Sequence, residues 1–167
     1  MKDPCKSRLD ELFTYKPETG SLFRKIRVSN CPAGVEAGTL NSGGYKVVWV
    51  DRKAMGVHRI AWIMTHGQIE DGIEVDHING DSADNSLKNL RVANRTQNTI
   101  NRKRHKNNKC GYKGVYFDAS RIRSKPWRAR IVVNKKQYTI GMFSTPEEAH
   151  EAYKKAALKH FGEFSRF

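Results

Sequence analysis

An adjacent carboxylate and imidazole, Asp76 and His77, are the two side chains of this sequence best suited to do chemistry together. Two amides, Asn89 and Asn98, follow twelve and twenty-one residues after the histidine. Oxygen ligands of this kind suit a hard divalent cation, and an imidazole can accept a proton near neutral pH. The set could therefore hold one cation against a phosphate beside a general base. This indicates a metal-dependent enzyme that cuts phosphodiester bonds.

Each member of this set has a predicted role. Asp76 is the predicted carboxylate ligand of one divalent metal ion, and Asn98 can supply a second, neutral oxygen. His77 is the predicted general base that takes a proton from an attacking water. Asn89 cannot transfer protons, so we expect it to fix the loop and orient His77. The expected metal is Mg²⁺, with Mn²⁺ as the alternative, and no other cofactor is expected.

The elements around this set are predicted to follow the order strand, loop, strand, helix. They are a strand at 74–78, a turn at Asn79-Gly80, a polar loop to Asn89, a strand at 90–93, and a helix capped by Thr96 that runs from Gln97 to about Lys103. Neighbouring side chains of a strand point to opposite faces. Asp76 and His77 sit where the strand meets the turn, so they could diverge around one phosphate.

The remaining sequence predicts small sheets and few helices, which is an α+β fold. Before the motif we expect an amphipathic segment, a turn and a strand within 8–27, a strand at 45–50, and a helix at 59–66 ended by Gly67. After it we expect strands at 115–118, 127–133 and 137–143, then a helix with a Thr145 N-cap, Pro146 and a capping box to Glu148. The prediction is a small nuclease module, preceded by a strand-rich region and followed by a three-stranded antiparallel sheet packed on one helix.

Positive charge is concentrated in one part of the chain. Residues 91–136 contain fifteen Lys or Arg and a single acid, Asp118, whereas residues 1–90 contain twelve of each sign and residues 137–167 four of each. The formal net charge of +14 therefore arises entirely within 91–136. A basic block of this density indicates a polyanionic partner, most simply nucleic acid.

Alternation in the last three strands separates an apolar face from a basic one. We expect Trp127, Ala129, Ile131, Val133, Val115, Phe117, Tyr138 and Ile140 on the side of the helix. The open face is expected to carry Lys113, Tyr116, Arg128, Arg130, Gln137 and Thr139, with Arg121 and Arg123 gripping phosphates from the first turn. Arg128 and Arg130 could read guanine edges. An ordinary solvated sheet face is the alternative.

Several classes of protein are not indicated by the sequence. No stretch approaches the roughly 18 apolar residues of a membrane-spanning helix, and the N-terminus lacks the apolar run of a signal peptide, so we expect a cytoplasmic protein. Cys5, Cys31 and Cys110 are far apart and form no Cys-x-x-Cys pair, so we expect reduced thiols and no structural zinc. Nothing indicates an obligatory protein partner.

Residues 58–98 resemble the HNH endonucleases of phages, members of the ββα-metal (His-Me finger) nucleases. The resemblance is carried by His58-Arg59-Ile60-Ala61-Trp62, Val75-Asp76-His77-Ile78-Asn79-Gly80-Asp81, Asp84-Asn85, Asn89-Leu90-Arg91 and Gln97-Asn98. It implies His77 as general base, Asp76 and Asn98 as ligands of one divalent metal, and Asn89 as the orienting amide. The chain has Asn98 where the family letters have a histidine. His58 matches a family position, and we expect a structural role for it.

Residues 111–167 resemble the APETALA-type (ethylene-response-factor) DNA-binding domain. The resemblance is carried by Gly111-Tyr112-Lys113-Gly114-Val115, Trp127-Arg128-Ala129-Arg130-Ile131, Ile140-Gly141-Met142-Phe143, Glu147-Glu148-Ala149 and Ala152-Tyr153. It implies a sheet that lies in the major groove of DNA with the helix behind it. The plant target sequence is not carried over, because several contact positions differ.

Together these features predict a DNA endonuclease of the phage HNH homing type that acts on duplex DNA. Its predicted parts are an N-terminal strand-rich region at 1–57, the nuclease module at 58–102, a basic linker at 103–110 and the DNA-binding domain at 111–167. One alternative is a non-catalytic DNA-binding regulator built on the tail. A second is an RNA-binding module, which is disfavoured because the aromatic residues fall mostly on the predicted core face.

Overall fold

A computed structural model of the chain describes residues 3–101, 108, 110–121 and 124–167. The chain forms two compact units, Met1–Arg95 and Thr96–Phe167, and each is described by itself. Small antiparallel sheets and short helices make up both units. The predicted α+β class is confirmed. None of the helices in the described ranges combines the length and the apolar character needed to cross a membrane.

The first unit begins with a helix, a hairpin and a three-stranded sheet. These elements are α1 (Lys6–Leu12), β1 (Phe13–Lys16), β2 (Ser21–Arg24), β3 (Thr39–Leu40), β4 (Lys46–Val50) and β5 (Lys53–Gly56). β1 pairs with β2, and β4 lies between β3 and β5. The turn between β4 and β5 has positive φ at both Asp51 and Arg52, as a two-residue hairpin turn of this type requires.

Helix α2 (Val57–His66) ties the N-terminal sheets to the strands that follow it. Val57, Ile60 and Ile63 lie in a core cluster with side chains of α1, β1, β2, β4 and β5. Ala61 instead packs with Val75 and Leu90 in a second cluster. The helix begins two residues before its predicted start and ends at Gly67, as predicted, where φ is 90°.

The segment around the motif has the predicted order of strand, loop, strand and helix. It comprises β6 (Ile73–His77), a 3₁₀ turn (Leu87–Asn89), β7 (Leu90–Asn94) and α3 (Arg95–Asn101). β6 and β7 are antiparallel and place Asp76 opposite Arg91. Thr96 lies inside α3 rather than at its N-cap, so the helix begins earlier than predicted. Its predicted continuation to Lys103 lies outside the described residues.

The second unit contains a three-stranded sheet packed on one helix, as predicted. The strands are β8 (Val115–Phe117), β9 (Trp127–Val133) and β10 (Lys136–Phe143), with β9 in the middle, and the helix is α4 (Pro146–Phe161). Ala149, Tyr153 and Ala157 of α4 are buried against the sheet. The capping box is confirmed: Thr145 Oγ1 accepts from Glu148 N at 3.2 Å, and Glu148 Oε2 accepts from Thr145 N at 3.4 Å.

Gly114 explains the tight approach of the chain to α4 at the start of β8. Its φ is +76°, and a Cβ at this position would lie 2.2 Å from Cδ2 of Tyr153. A side chain here would therefore displace a buried aromatic ring as well as strain the backbone. Glycine at position 114 is therefore required by packing as well as by backbone conformation.

Candidate active site

Asp76 and His77 are the last two residues of β6, and both are buried. Their relative exposures are 6% and 4%. The strand ladder sets them opposite Arg91 and Leu90 of β7. Gly80, with a φ of 63°, turns the chain immediately after the strand and donates its N–H to the carbonyl of His77 at 2.9 Å. The predicted position of the pair, where a strand enters a turn, is confirmed.

Arg91 holds the carboxylate of Asp76. Its Nε and Nη2 donate to Asp76 Oδ2 at 3.1 and 3.0 Å. The two side chains are 11% and 7% exposed, so the ion pair is largely shielded from water. A buried carboxylate is costly without a compensating charge, and the guanidinium supplies it with two charge-assisted hydrogen bonds.

The imidazole of His77 contacts an amide that the sequence did not single out. Nε2 of His77 lies 3.2 Å from Oδ1 of Asn85. Asn85 is 1% exposed, and its Nδ2 donates to the carbonyl of Ala83 at 3.0 Å. The amide is thus held on both sides, and it fixes one edge of the His77 ring.

Two aromatic rings form a wall beside His77. The ring centroids of His58 and His77 are 5.0 Å apart at an interplanar angle of 63°. Tyr45 lies 5.5 Å from His58 and 5.9 Å from His77, measured between the same points. The close approach of His58 to the backbone is possible because residue 56 is glycine: a Cβ there would lie 2.4 Å from Cε1 of His58.

Burial sets the charge state of both histidines. It lowers the pKa of His58 to about 4, with smaller lowering effects from His77 and Arg59. Burial also lowers the pKa of His77, against raising effects from the hydrogen bond with Asn85 and from the Asp76 carboxylate. Both rings are therefore neutral at physiological pH, which is the form a general base requires.

Asn89 acts on the turn that follows His77. Its Oδ1 accepts from the N–H of Asn79 at 2.9 Å, and its backbone carbonyl accepts from the N–H of Ile78 at 2.8 Å. Its Nδ2 donates to the carbonyl of Asp84 at 2.8 Å. The expected loop-fixing contacts are present. Any influence on the His77 ring passes through the backbone, because the side-chain bonds of Asn89 go to Asn79 and Asp84.

Asp84 organises the loop between the two strands. Its Oδ1 accepts from the hydroxyl and the N–H of Ser86 at 2.7 and 3.1 Å, and its Oδ2 accepts from Asn79 Nδ2 at 3.0 Å. These bonds, led by the one from the Ser86 hydroxyl, lower the pKa of Asp84. The loop is therefore held by its own polar side chains, which is how a polar segment with few apolar residues keeps one shape.

The β1–β2 hairpin supports the same loop from outside. Tyr15 donates its hydroxyl to the carbonyl of Asn85 at 2.8 Å, and Leu87 donates its N–H to the carbonyl of Pro17 at 2.8 Å. Gly20 lies against the backbone of Asn85, with φ at +73°. The N-terminal hairpin thus positions the residue that contacts the catalytic candidate.

Asn98, the predicted second metal ligand, lies on α3, in the helix that follows β7 directly. Among the described residues, no group of three or more His, Cys, Asp or Glu side chains is arranged to hold a metal ion. The expected donor set of Asp76 and Asn98 is of a different kind, with one carboxylate and one amide. Such a set suits a cation that keeps several waters and shares phosphate oxygens, as Mg²⁺ does.

In the second unit, the register confirms the predicted open face of the sheet for most of its members. Tyr116 pairs with Arg128, Thr139 with Arg130, and Gln137 with Val132. The Arg130 guanidinium carbon lies 3.9 Å from the centroid of the Tyr116 ring, and Arg128 Nη2 lies 3.7 Å from Asp118 Oδ2. The Nε atoms of Arg128 and Arg130 are buried and have no hydrogen-bond partner among the described residues.

The apolar face follows the prediction with two differences. Phe117 and Tyr138 pair with Trp127 and Ile131, which places them on the helix side, yet they are 49% and 51% exposed. A β-bulge between Thr139 and Gly141 adds one residue to β10. Ile140 packs into the core at this bulge, as predicted, and the alternation resumes one position later.

Lys113 does not extend the open face as expected. It precedes β8, and its Nζ donates to the carbonyl of Ile100 at 2.7 Å and to that of Arg166 at 3.1 Å. Burial, with a smaller effect from Arg166, lowers the pKa of this ammonium to about 8. Arg121 lies in a 3₁₀ turn, Ala119–Arg121. Arg123 lies outside the described residues.

The sequence did not assign roles to Asn85, Arg91 and Tyr45, and it favoured a structural role for His58. Asn85 and Arg91 lie within the motif segments of the sequence. The sequence does not show their side-chain contacts, because Asn85 reaches His77 only through the fold of the loop. Arg91 could have been found from the strand register, since it faces Asp76 directly.

Comparison with known proteins places this site in a family. The family model for the HNH endonuclease matches residues 55–100. Protein 3.8 of Escherichia phage T7 is 31% identical over 115 residues, which is 69% of this chain and 92% of that protein. An uncharacterized HNH endonuclease, L560 of Acanthamoeba polyphaga mimivirus, is 32% identical over 127 residues, which is 75% of this chain and 63% of that protein.

A solved structure of DNA binding and cleavage by the HNH homing endonuclease I-HmuI is also similar. The identity is 22%, the match covers 54% of this chain and 51% of that chain, and the TM-score is 0.42. The chain thus spans less than two thirds of the mimivirus protein and about half of I-HmuI. The matched family segment runs from β5 to α3 and contains Asp76, His77, Asn89 and Asn98. The chain therefore contains an HNH endonuclease domain, and it is a nuclease.

Proposed function

We propose that the protein is a metal-dependent endonuclease that hydrolyses phosphodiester bonds in duplex DNA. The observation that carries the proposal is the buried pair Asp76 and His77 at the end of β6, where a neutral imidazole stands next to a carboxylate. This arrangement joins a base with a hard oxygen ligand in the segment matched by the HNH family. His77 is the proposed general base.

His77 takes a proton from the water that attacks the phosphorus. The ring is held between Asn85 on one edge and the wall of His58 and Tyr45 on its side, so little ring motion remains to be frozen during the reaction. A positioned base of this kind typically contributes roughly 10²–10⁴-fold to the rate. Asn89 holds the backbone after His77 in place through Ile78 and Asn79.

Asp76 and Asn98 are the proposed ligands of one divalent cation, most simply Mg²⁺, with Mn²⁺ as the alternative. The donor set fits, because both are hard oxygen donors and the carboxylate of Asp76 is held in a fixed orientation by Arg91. A bound cation would stabilise the charge that develops on the phosphate and on the leaving oxygen. The assignment of Asn98 rests on the sequence motif and on its place in the helix after β7.

The second unit is proposed to bind the DNA, as an APETALA-type domain at 111–167 would. Supporting this, the open face of its sheet carries two arginines, Arg128 and Arg130, with Tyr116, Gln137 and Thr139. The basic excess of the sequence also lies in 91–136. The other proposed parts are the N-terminal region at 1–57, the nuclease module at 58–102 and the linker at 103–110. Arg121 and Arg123 are proposed phosphate contacts.

A plasmid assay with the pure protein tests the proposal. With Mg²⁺ or Mn²⁺, supercoiled plasmid should become nicked or linear, and with a chelator it should not. His77→Ala should abolish this cleavage and still bind duplex DNA in a gel-shift assay. His66→Ala is the matched control, because it removes an exposed imidazole stacked on Trp62. Undiminished cutting by His77→Ala would overturn the assignment of the base.

A further inference from the structure

We infer that Asn85 is a positioning residue that fixes which nitrogen of His77 accepts the proton, and that this nitrogen is Nδ1. The inference rests on the proposed role of His77 as general base and goes beyond it. It begins from one contact in the loop between β6 and β7. Nε2 of His77 and Oδ1 of Asn85 are 3.2 Å apart, and both residues are almost completely buried.

The direction of this hydrogen bond follows from the other end of the amide. Asn85 Nδ2 donates to the carbonyl of Ala83 at 3.0 Å, which orients the amide so that its oxygen faces His77. An amide oxygen can only accept, so the ring nitrogen opposite it must carry the hydrogen. A neutral imidazole has one N–H, and with the hydrogen on Nε2 the lone pair is on Nδ1.

The amide can enforce this choice because its backbone is held by the β1–β2 hairpin. The carbonyl of Asn85 accepts from the Tyr15 hydroxyl at 2.8 Å. Gly20 lies so close to the Asn85 backbone that no side chain fits between them. A fixed acceptor beside a buried ring stabilises one tautomer over the other. In the other tautomer, the lone pair of His77 Nε2 would point at the amide oxygen of Asn85, and the two would repel each other.

Proton transfer to His77 accompanies the attack of water on the phosphorus. One O–H bond of the attacking water breaks and an Nδ1–H bond forms, while the oxygen keeps the electron pair and forms a bond to phosphorus. The P–O bond to the leaving oxygen breaks, and that oxygen takes a proton from solvent. Asn85 touches neither the water nor the phosphate. It continues to accept from Nε2–H in the imidazolium that forms, so it orients and stabilises the base throughout.

Asn85 and Asn89 therefore divide the work that the sequence motif gave to Asn89 alone. Asn89 binds the backbone of Asn79 and Ile78, and Asn85 binds the ring. This predicts different effects of their loss. Removal of Asn89 loosens the turn, whereas removal of Asn85 leaves the turn bonded through Asn89 and frees the choice of tautomer.

The first test reads the tautomer directly and needs no cleavage. Long-range ¹H–¹⁵N NMR of histidine-labelled protein, without metal or DNA and above the pH at which His77 titrates, shows which ring nitrogen carries the proton. We expect Nε2–H for His77 in the wild type. A His77 signal with the proton on Nδ1 would overturn the inference, whether or not the protein cuts DNA, so this result is independent of the proposed function.

The second test compares variants of the amide. Asn85→Ala should shift His77 to a mixture of tautomers, and Asn85→Asp, which keeps an acceptor oxygen, should restore Nε2–H. In single-turnover cleavage of plasmid DNA with Mg²⁺, Asn85→Ala should lower the rate by about 10- to 1,000-fold, with its affinity for DNA changed by less than about twofold. Asn30→Ala, which removes an exposed amide, is the control. An unchanged tautomer or an unchanged rate in Asn85→Ala would overturn the inference.

Discussion

Gly20 of the β1–β2 hairpin lies directly against the backbone of Asn85, sixty-five residues later in the chain. A Cβ built at Gly20 would be 2.3 Å from the carbonyl carbon of Asn85 and 2.4 Å from the N–H nitrogen of Ser86. Both obstacles are backbone atoms, which cannot rotate away as a flexible side chain would. The hairpin and the loop of the candidate active site therefore meet at a contact that only glycine permits.

Gly20→Ala should accordingly damage the active site from a distance. The added methyl must push the loop that holds Asn85, so we expect a lower melting temperature and cleavage reduced by at least about tenfold. Circular dichroism on heating measures the first effect, and the plasmid assay measures the second. If Gly20→Ala melts and cuts as the wild type does, this contact does not support the site.

Gly72→Ala is the matched control for this experiment. Gly72 has a similar φ, +81°, but no atom of the described residues lies within 4 Å of its would-be Cβ. The variant therefore carries the strain of an alanine at positive φ, about 1 kcal/mol, without a collision. Any loss of cleavage beyond that of Gly72→Ala measures displacement of the loop.

The sequence located the chemistry but not the contacts that orient it. Asp76 and His77 can be predicted because their residue types and their position at the end of a strand are features of the sequence itself. The amide that contacts His77 is Asn85, eight residues after the histidine, rather than Asn89, twelve residues after it. Which amide faces the ring depends on Tyr15 and Gly20, and no local pattern links them to this loop.

The ion pair of Asp76 and Arg91 predicts how the site responds to metal. Arg91→Met keeps much of the side-chain volume and removes the charge next to a carboxylate that is 6% exposed. Removal of one partner of a buried pair costs about 3 kcal/mol or more, so urea denaturation should show a loss of that order. Added Mg²⁺ or Mn²⁺ should restore more stability to Arg91→Met than to the wild type, because it supplies the missing positive charge.

Two further variants make this test specific. Arg8→Met removes solvent-exposed ion pairs with Asp51 and Glu11, so it should destabilise the protein much less than Arg91→Met does and show no added response to metal. Combining Arg91→Met with Asp76→Asn should abolish the metal-dependent recovery. If the recovery persists in the double variant, the cation binds elsewhere and Asp76 is not its ligand.

Burial of His58 predicts a loss of stability at acidic pH. The pKa of His58 is about 4 in the folded chain and near its ordinary value of 6.5 in the unfolded chain. Between these values the unfolded state binds one proton more than the folded state. The contribution of neutral His58 to the free energy of unfolding is therefore fully present above about pH 6.5 and falls as the pH drops towards 4. Acidification from about pH 7.5 to about pH 5 should therefore lower the free energy of unfolding by roughly 2 kcal/mol through His58. His77, whose pKa is also lowered, acts in the same direction.

Urea denaturation of His58→Gln at the two pH values checks this prediction. Glutamine cannot titrate, so the variant should lose less stability on acidification than the wild type does. His66→Gln, which makes the same exchange at the exposed end of the same helix, is the control for the substitution itself. Equal acid sensitivity of His58→Gln and the wild type would contradict the assignment to His58.

The C-terminal sheet shows where alternation predicts faces and where it stops. Within β9 the pattern is regular, so it correctly predicts that Arg128 and Arg130 lie on the open face. The pattern predicts Lys113 on the same face only if it is extended beyond β8, which begins at Val115. The ammonium of Lys113 instead binds two backbone carbonyls. The bulge after Thr139 adds one residue to β10, and no periodicity in the sequence reveals such an insertion.

Arg130 offers the sharpest test of DNA binding by this sheet. Its guanidinium lies over the Tyr116 ring at 3.9 Å, which holds the planar group flat on the open face. Arg130→Ala should weaken binding to a fluorescent duplex by about 1–3 kcal/mol, or roughly 5- to 150-fold, in anisotropy titrations at fixed salt. Arg130→Lys keeps the positive charge but not the planar guanidinium, so it should recover only part of the lost affinity.

Lys154→Ala is the control variant. Lys154 lies on α4 beside Glu151, and the variant should bind nearly as the wild type does. If Arg130→Ala binds no worse than Lys154→Ala, the DNA does not lie on this face of the sheet.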